Sequence, residues 1–156
     1  MNLKDPSQVA ALVARVLLGA WFAYSGGLKI FGTGLDRFTQ DIANYQLVHA
    51  PWDAVTAYTV PWLELVAGTF LLLGVLRRGA ILTVAGLVGM FSVAVGWAWL
   101  RGLDISCGCQ GGDALIRYWH KAGEFAGYFV LLGGLWWVET RKPGGAIAVP
   151  EPEIRH

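Results

Sequence analysis

Charged side chains are scarce in this chain of 156 residues: Asp, Glu, Lys and Arg make up 15%, against 55% hydrophobic residues. That shortage excludes an ordinary soluble domain, in which about a quarter of the residues carry charge, and points to an integral membrane protein. Net charge is missing too. At +1 there is no long-range field to draw in nucleic acid or an acidic partner, so nucleic-acid binding is not expected and charge must be read by position. Cysteine is rarer still: there are 2, Cys107 and Cys109, and two thiolates make only half of a zinc shell.

What is present is a series of long apolar runs. Spans of ~20 residues are needed to cross ~30 Å of hydrocarbon, and the runs at about 9–31, 55–76, 81–100 and 116–138 meet that length. The first is too long for the core of a cleavable signal and is interrupted by Arg15, so it reads as a retained span. Pro61 lies inside the second, where neighbours must satisfy the carbonyl it frees. The RRGA stretch, residues 77–80, reads as the tight turn between spans two and three. Between spans one and two the pattern changes. Leu35, Phe38, Ile42 and Tyr45 recur at helical spacing while Asp36, Arg37, Gln40 and Asp41 fall on the other side. This predicts a short amphipathic helix lying at the membrane interface. The expected fold is therefore all-α: an integral membrane four-helix bundle over residues 1–140 with one interfacial helix. The Pro- and Gly-rich tail, residues 141–156, is expected to be disordered and cytoplasmic.

Four spans put both termini on one side, together with Arg77, Arg78, Arg141 and Lys142. Lys29, Arg37, Arg101, Arg117 and Lys121 on the opposite side bring the raw count nearly level. The very short Arg77-Arg78 hairpin tips it, since basic residues abutting spans weigh most, so both termini are expected in the cytoplasm of a multi-pass plasma-membrane protein. The interfacial helix and the loop RGLDISCGCQGG, residues 101–112, then face outward, into the kind of compartment where disulfides persist.

Cys107 and Cys109 flank one glycine in that loop. Cysteines at i and i+2 reach the Cα separation a disulfide needs when glycine frees the backbone between them. So small a ring removes almost no entropy from the unfolded chain and is strained, which describes an exchangeable bond and not a staple. Arg101 and Arg117 nearby favour thiolate. Two other readings stand beside the redox pair: a soft-metal site for Cu(I) or Hg(II), with Asp113 or His120 assisting, and two incidental residues in a glycine-rich turn. The second constellation is intramembrane charge. Arg15 and Glu64 sit inside spans, at depths that allow them to pair, and Lys29 is the competing partner for Glu64. His120 and Glu124 lie one turn apart on the outward end of span four, where they would carry protons or simply solvate a helix end. Gly86 with Gly89, and Gly123 with Gly127, have the spacing of close helix packing. Trp52, Trp62, Trp97, Trp99 and Trp119 gather toward the outward side, as an interfacial belt or the wall of a pocket for a flat lipid-soluble cofactor.

These residues resemble a known family. Arg15, Leu18-Gly19, Phe22, Ser25-Gly26 and Lys29, then Tyr45, PWLELVAG at 61–68 and RGLDISCGC at 101–109, are similar to the DoxX/MauE redox-associated membrane proteins. The likeness runs from span one to span four and departs at Gln110, where MauE-like chains often carry Phe. It implies a four-helix membrane bundle linked to disulfide formation beside thioredoxin-like partners, or to sulfur-compound oxidation with electrons passed to quinone. The expected function is a membrane thiol–disulfide oxidoreductase. Cys107 and Cys109 would exchange electrons between a periplasmic thioredoxin-like partner and a quinone, with Arg101 stabilising thiolate. Arg15, Lys29, Glu64, His120 and Glu124 are the candidate cofactor-binding residues. A soft-metal carrier, or a non-catalytic membrane subunit of a redox or sulfur-oxidising complex, is the alternative, and a homo-oligomer or larger membrane complex is the expected assembly.

Overall fold

The computed structural model describes residues 6–103 and 117–141; Cys107, Cys109, Asp113 and the tail from Lys142 lie outside the described residues. Among the described residues every regular element is helical. Helix α1 (Pro6–Gly27) runs on through a π-helical turn, Leu28–Gly32, and is followed by α2 (Leu35–Asn44), α3 (Trp52–Leu73), α4 (Arg77–Leu100) and α5 (Tyr118–Arg141). Three helical stretches are long and apolar enough to cross a membrane: Ser7–Gly32, Trp52–Leu73 and Arg77–Leu100. At 24 residues α5 equals α4 in length. Its first turns carry His120, Lys121 and Glu124 and its last Glu139 and Arg141, so its apolar stretch is shorter than theirs.

The connection between α3 and α4 lies earlier than the RRGA stretch predicts. Gly74, at φ 70°, closes α3 in the left-handed conformation that only glycine adopts freely. The Val75 N–H then donates to the Phe70 carbonyl at 3.1 Å. Arg77 to Ala80 form the first turn of α4, with the Ala80 N–H on the Leu76 carbonyl at 2.9 Å and Arg77 Nε donating back to the Gly74 carbonyl at 3.1 Å. The glycine, not the arginine pair, reverses the chain.

Helices α1, α3, α4 and α5 pack in that cyclic order around one core of Leu18, Phe22, Val60, Leu71, Val84, Val88, Leu132 and Leu135, and α2 lies against α3. The outside is also apolar, with Leu17, Leu73, Val93 and Val130 all well exposed. A surface of that kind is suited to lipid. In lipid, however, burial of apolar area drives no association between helices, which must instead gain close van der Waals contact. The closest contact is between α1 and α3. A Cβ placed on Gly68 would stand 2.4 Å from the Ala23 nitrogen, one on Gly19 2.8 Å from the Leu72 nitrogen, and one on Gly26 2.6 Å from the Pro61 oxygen. These three glycines let the backbones touch. Gly86, Gly89, Gly123 and Gly127, expected from their spacing to do this, have no atom within 4 Å of where a Cβ would stand. They stand on α4 and α5 with open space beside them, because spacing identifies small residues but not the side of the helix that meets a neighbour.

Helix α2 is more than an interfacial float. Its apolar face is driven into the bundle, where Phe38 and Tyr45 are buried and Tyr45 packs with Val95 and Ala98 of α4.

The α1–α3 contact gives a direct stability test. Gly68→Val is expected to cost about 1–3 kcal/mol through overpacking, read as loss of helical signal on detergent titration or heating. Gly86→Ala should change stability by less than about 1 kcal/mol, and equal losses in both variants would show the α1–α3 contact to be less tight than described.

Candidate functional site

The turn of α1 that Gly26 brings against α3 faces Pro61, Glu64 and Leu65. One turn further on, the backbone widens into the π-helical turn, closed by the Thr33 N–H on the Leu28 carbonyl at 2.9 Å. Such single π turns are local departures that often accompany function. Lys29 lies in this one and turns inward. Its Nζ donates to Glu64 Oε2 at 2.6 Å and Oε1 at 2.8 Å, and to Ser25 Oγ at 3.2 Å. Ser25 Oγ in turn donates to Glu64 Oε2 at 3.4 Å. Both charged side chains are 1% exposed. Two phenyl rings complete the enclosure, Phe38 of α2 and Phe91 of α4, with centroids 5.0 and 5.1 Å from Nζ. At that range a ring face attracts an ammonium, most strongly where both are desolvated.

One cavity reaches this ion pair, and a second lies behind the phenyl rings that enclose it. One is a cleft between α1, α4 and α5 that holds Lys29 and Glu64 at its inner end, with Ser25, Val88, Phe125 and Tyr128 along it and Lys121 and Glu124 also on its wall. Its volume of about 40 Å³ is room for ~two or three waters. Lys121 Nζ and Glu124 Oε2 form a second ion pair there at 2.6 Å, with Glu124 the more exposed partner. The other is an apolar slot of about 160 Å³ beneath α2, lined among others by Ile42, Tyr45, Val60, Met90 and Ala94, with Phe38 and Phe91 also on its wall. The same two rings that hold the Lys29 ammonium thus border the slot.

Of the predicted site residues, Lys29, Glu64 and Glu124 line one cleft. Arg15 does not join them, and the expected Arg15–Glu64 pair does not form. With Gly26 opposite residues 61–65 and Gly19 opposite Leu72, antiparallel register carries Arg15 about three turns away, to the Gly74 turn beside Arg77. There its Nε is buried with no hydrogen-bond partner among the described residues. His120 is exposed at the start of α5 and does not line the cleft. Arg101 is exposed at the end of α4, its Nη1 donating to Gln46 Oε1 at 3.4 Å and its guanidinium 4.7 Å from the Trp97 ring. The two ends of the segment that carries the cysteines are held together. Tyr118 Oη donates to the Leu103 carbonyl, and Trp99 stacks on Tyr118 with centroids 6.1 Å apart and meets Trp119 edge-on at 5.1 Å.

Sequence reasoning missed Ser25, Phe38, Phe91 and Lys121. Ser25 and Lys29 are spaced i, i+4, a signal that two polar residues share a helix face. The two phenylalanines carried no signal, since each comes from a different helix. Among the described residues no group of three His, Cys, Asp or Glu side chains stands together as a metal site.

Residues 7–139 match the family model described as methylamine utilisation protein MauE. No curated protein and no solved structure matches the chain.

The ion pair predicts a non-additive response. Removing Lys29 strands a buried carboxylate, so Lys29→Met alone is expected to cost about 3–5 kcal/mol. Glu64→Gln should cost less, because Ser25 Oγ and the Phe38 and Phe91 rings stay with the ammonium. The double variant should recover much of the Lys29→Met loss. Unfolding curves in detergent check it, and single variants as stable as the parent would mean that water already reaches both charges freely.

Proposed function

Since the chain belongs to the MauE family, we propose that this multi-pass membrane protein exchanges electrons between a dithiol outside the membrane, presented by a thioredoxin-like partner, and a membrane quinone. The observation that carries the reading is the Lys29–Glu64 pair. An ionisable pair at intramembrane depth costs several kcal/mol to install, which makes a functional site the default reading of it.

The exchanging groups are Cys107 and Cys109. A partner thiolate attacks one sulfur of their disulfide to form a mixed disulfide, and the partner's second thiol displaces it. The partner leaves oxidised, with Cys107 and Cys109 as a dithiol. Arg101 favours the thiolate form. A quinone, when bound, accepts two electrons and two protons. The apolar slot beneath α2 suits its ring, because a dry cavity of ~150 Å³ takes a benzene-sized group. Phe38, Val60, Met90, Phe91 and Ala94 would surround that ring, with Lys29 and Glu64 as the nearest buried charges beyond the phenyl wall. Arg15 and His120 play no part at that slot.

The orientation that fits this reading places both termini in the cytoplasm and residues 104–116 outside, with α5 as the fourth crossing. Arg15, Arg77 and Arg78 gather at one end of the bundle, where Arg77 Nη1 meets Glu139 Oε1 at 3.4 Å and Arg78 Nη2 donates to the Glu139 carbonyl at 3.4 Å. Arg141 lies over the Trp137 ring at 3.9 Å at the same end of α5. A basic end of this kind is the mark of the cytoplasmic face.

The test is thiol trapping of the protein in vesicles during turnover with a reduced thioredoxin-like substrate and a quinone. A reversible Cys107–Cys109 disulfide is expected, and Cys107→Ser should bring quinone-dependent thiol oxidation to background. Full activity in a Cys107→Ser/Cys109→Ser variant would overturn the reading.

A further inference from the structure

We propose that the cleft between α1, α4 and α5 is a water-filled proton route linking Glu64 to the aqueous face at which α5 begins, with Glu124 as its mouth. This goes beyond the electron chemistry above and does not depend on it, because it concerns only how the buried carboxylate exchanges its proton.

Three features carry the inference. The first is continuity: Lys29, Glu64, Lys121 and Glu124 line one cavity whose volume of about 40 Å³ matches a short file of ~two or three waters. Ordered waters bridging polar groups relay hydrogen bonds nearly as well as direct contact. The second is the mouth. Glu124 is 43% exposed while its partner Lys121 is 16% exposed, so the carboxylate stands outermost of the pair. The pair is neutral and sets no charge barrier to an arriving proton.

The third is what becomes of the ammonium. If Glu64 took up a proton and Lys29 had no other support, a lone buried cation would remain. Lys29 keeps Ser25 Oγ at 3.2 Å and the faces of Phe38 and Phe91 at 5.0 and 5.1 Å. Glu64 can therefore cycle between carboxylate and carboxylic acid while Lys29 stays charged and in place. The proton leaves the Glu124 carboxyl, passes along the waters and binds a Glu64 oxygen; no electron moves.

The groups that face Glu64 from each neighbouring element define what its titration responds to. The first helix and its π turn present Ser25 and Lys29. Val88 and Phe91 on α4 are apolar, and α5 presents Lys121, Glu124 and the phenol of Tyr128 along the cleft. From α2 comes Phe38, while Asp36 is turned away to the Tyr58 hydroxyl, which donates to it at 3.4 Å.

Infrared spectroscopy of the full chain in lipid nanodiscs tests this. A protonated-carboxyl band that appears on acidification, and is missing from Glu64→Gln, is expected within the pH range where the fold persists. On transfer to heavy water that band should shift at once in the parent, at least tenfold more slowly in Glu124→Gln, and at the parental rate in Glu124→Asp. If Glu64→Gln fails to fold, the exchange rates of the parent and the two Glu124 variants still decide, because Glu124 lies at the surface. No Glu64-dependent band, exchange over hours in the parent, or equal rates in parent and Glu124→Gln would each overturn the proposal.

Discussion

The close approach of α1 to α3 is the constraint on which the rest depends. Lipid offers no solvent to a stray charge and no hydrophobic reward for pairing two helices. The bundle gains its tightest contact where Gly19, Gly26 and Gly68 let backbone meet backbone. That same contact makes a Lys–Glu pair affordable at this depth. With Gly26 seated on Pro61 and Leu65, the next turn of α1 places Lys29 within 2.6 Å of Glu64. A wider gap would leave two charges too far apart to offset their desolvation.

Architecture was legible because membrane helices announce themselves by length and apolarity. The runs at 9–31 and 55–76 correspond to α1 with its π turn and to α3, and the amphipathic spacing of Leu35, Phe38, Ile42 and Tyr45 located α2. The start of α4 was missed by four residues, since two arginines look like a loop unless Gly74 is recognised as the residue that reverses the chain. For the site, polarity inside an apolar run singled out Lys29 and Glu64. Choosing between Arg15 and Lys29 as the partner of Glu64 needed the register of α1 on α3, which depth counting from span ends does not supply. Phe38 and Phe91 were illegible for a related reason. Their role exists only once α2 and α4 bring two ring faces to the same ammonium, and an aromatic in an apolar chain is otherwise unremarked core.

The two ends of the bundle differ in chemistry. One is closed by the short α3–α4 connection, with Arg77 and Arg78 reaching Glu139 on α5. At the other, Trp99, Tyr118 and Trp119 gather where α4 ends and α5 begins, and the Tyr118–Leu103 hydrogen bond joins the two strands of chain that lead to the cysteines. The buried charges lie between, at a narrow cleft that α5 closes, and the two phenyl rings separate them from the apolar slot beneath α2.

The π-helical turn at Leu28–Gly32 has a meaning in terms of chain length. A single π turn holds one residue more than the α-helical turn it replaces, and each residue of an α-helix rotates the next side chain by ~100°. Removing one residue from that turn would restore an unbroken helix and swing each later side chain by ~100° about the axis. The surplus residue thus acts as an angular offset between α1 and the chain that follows it.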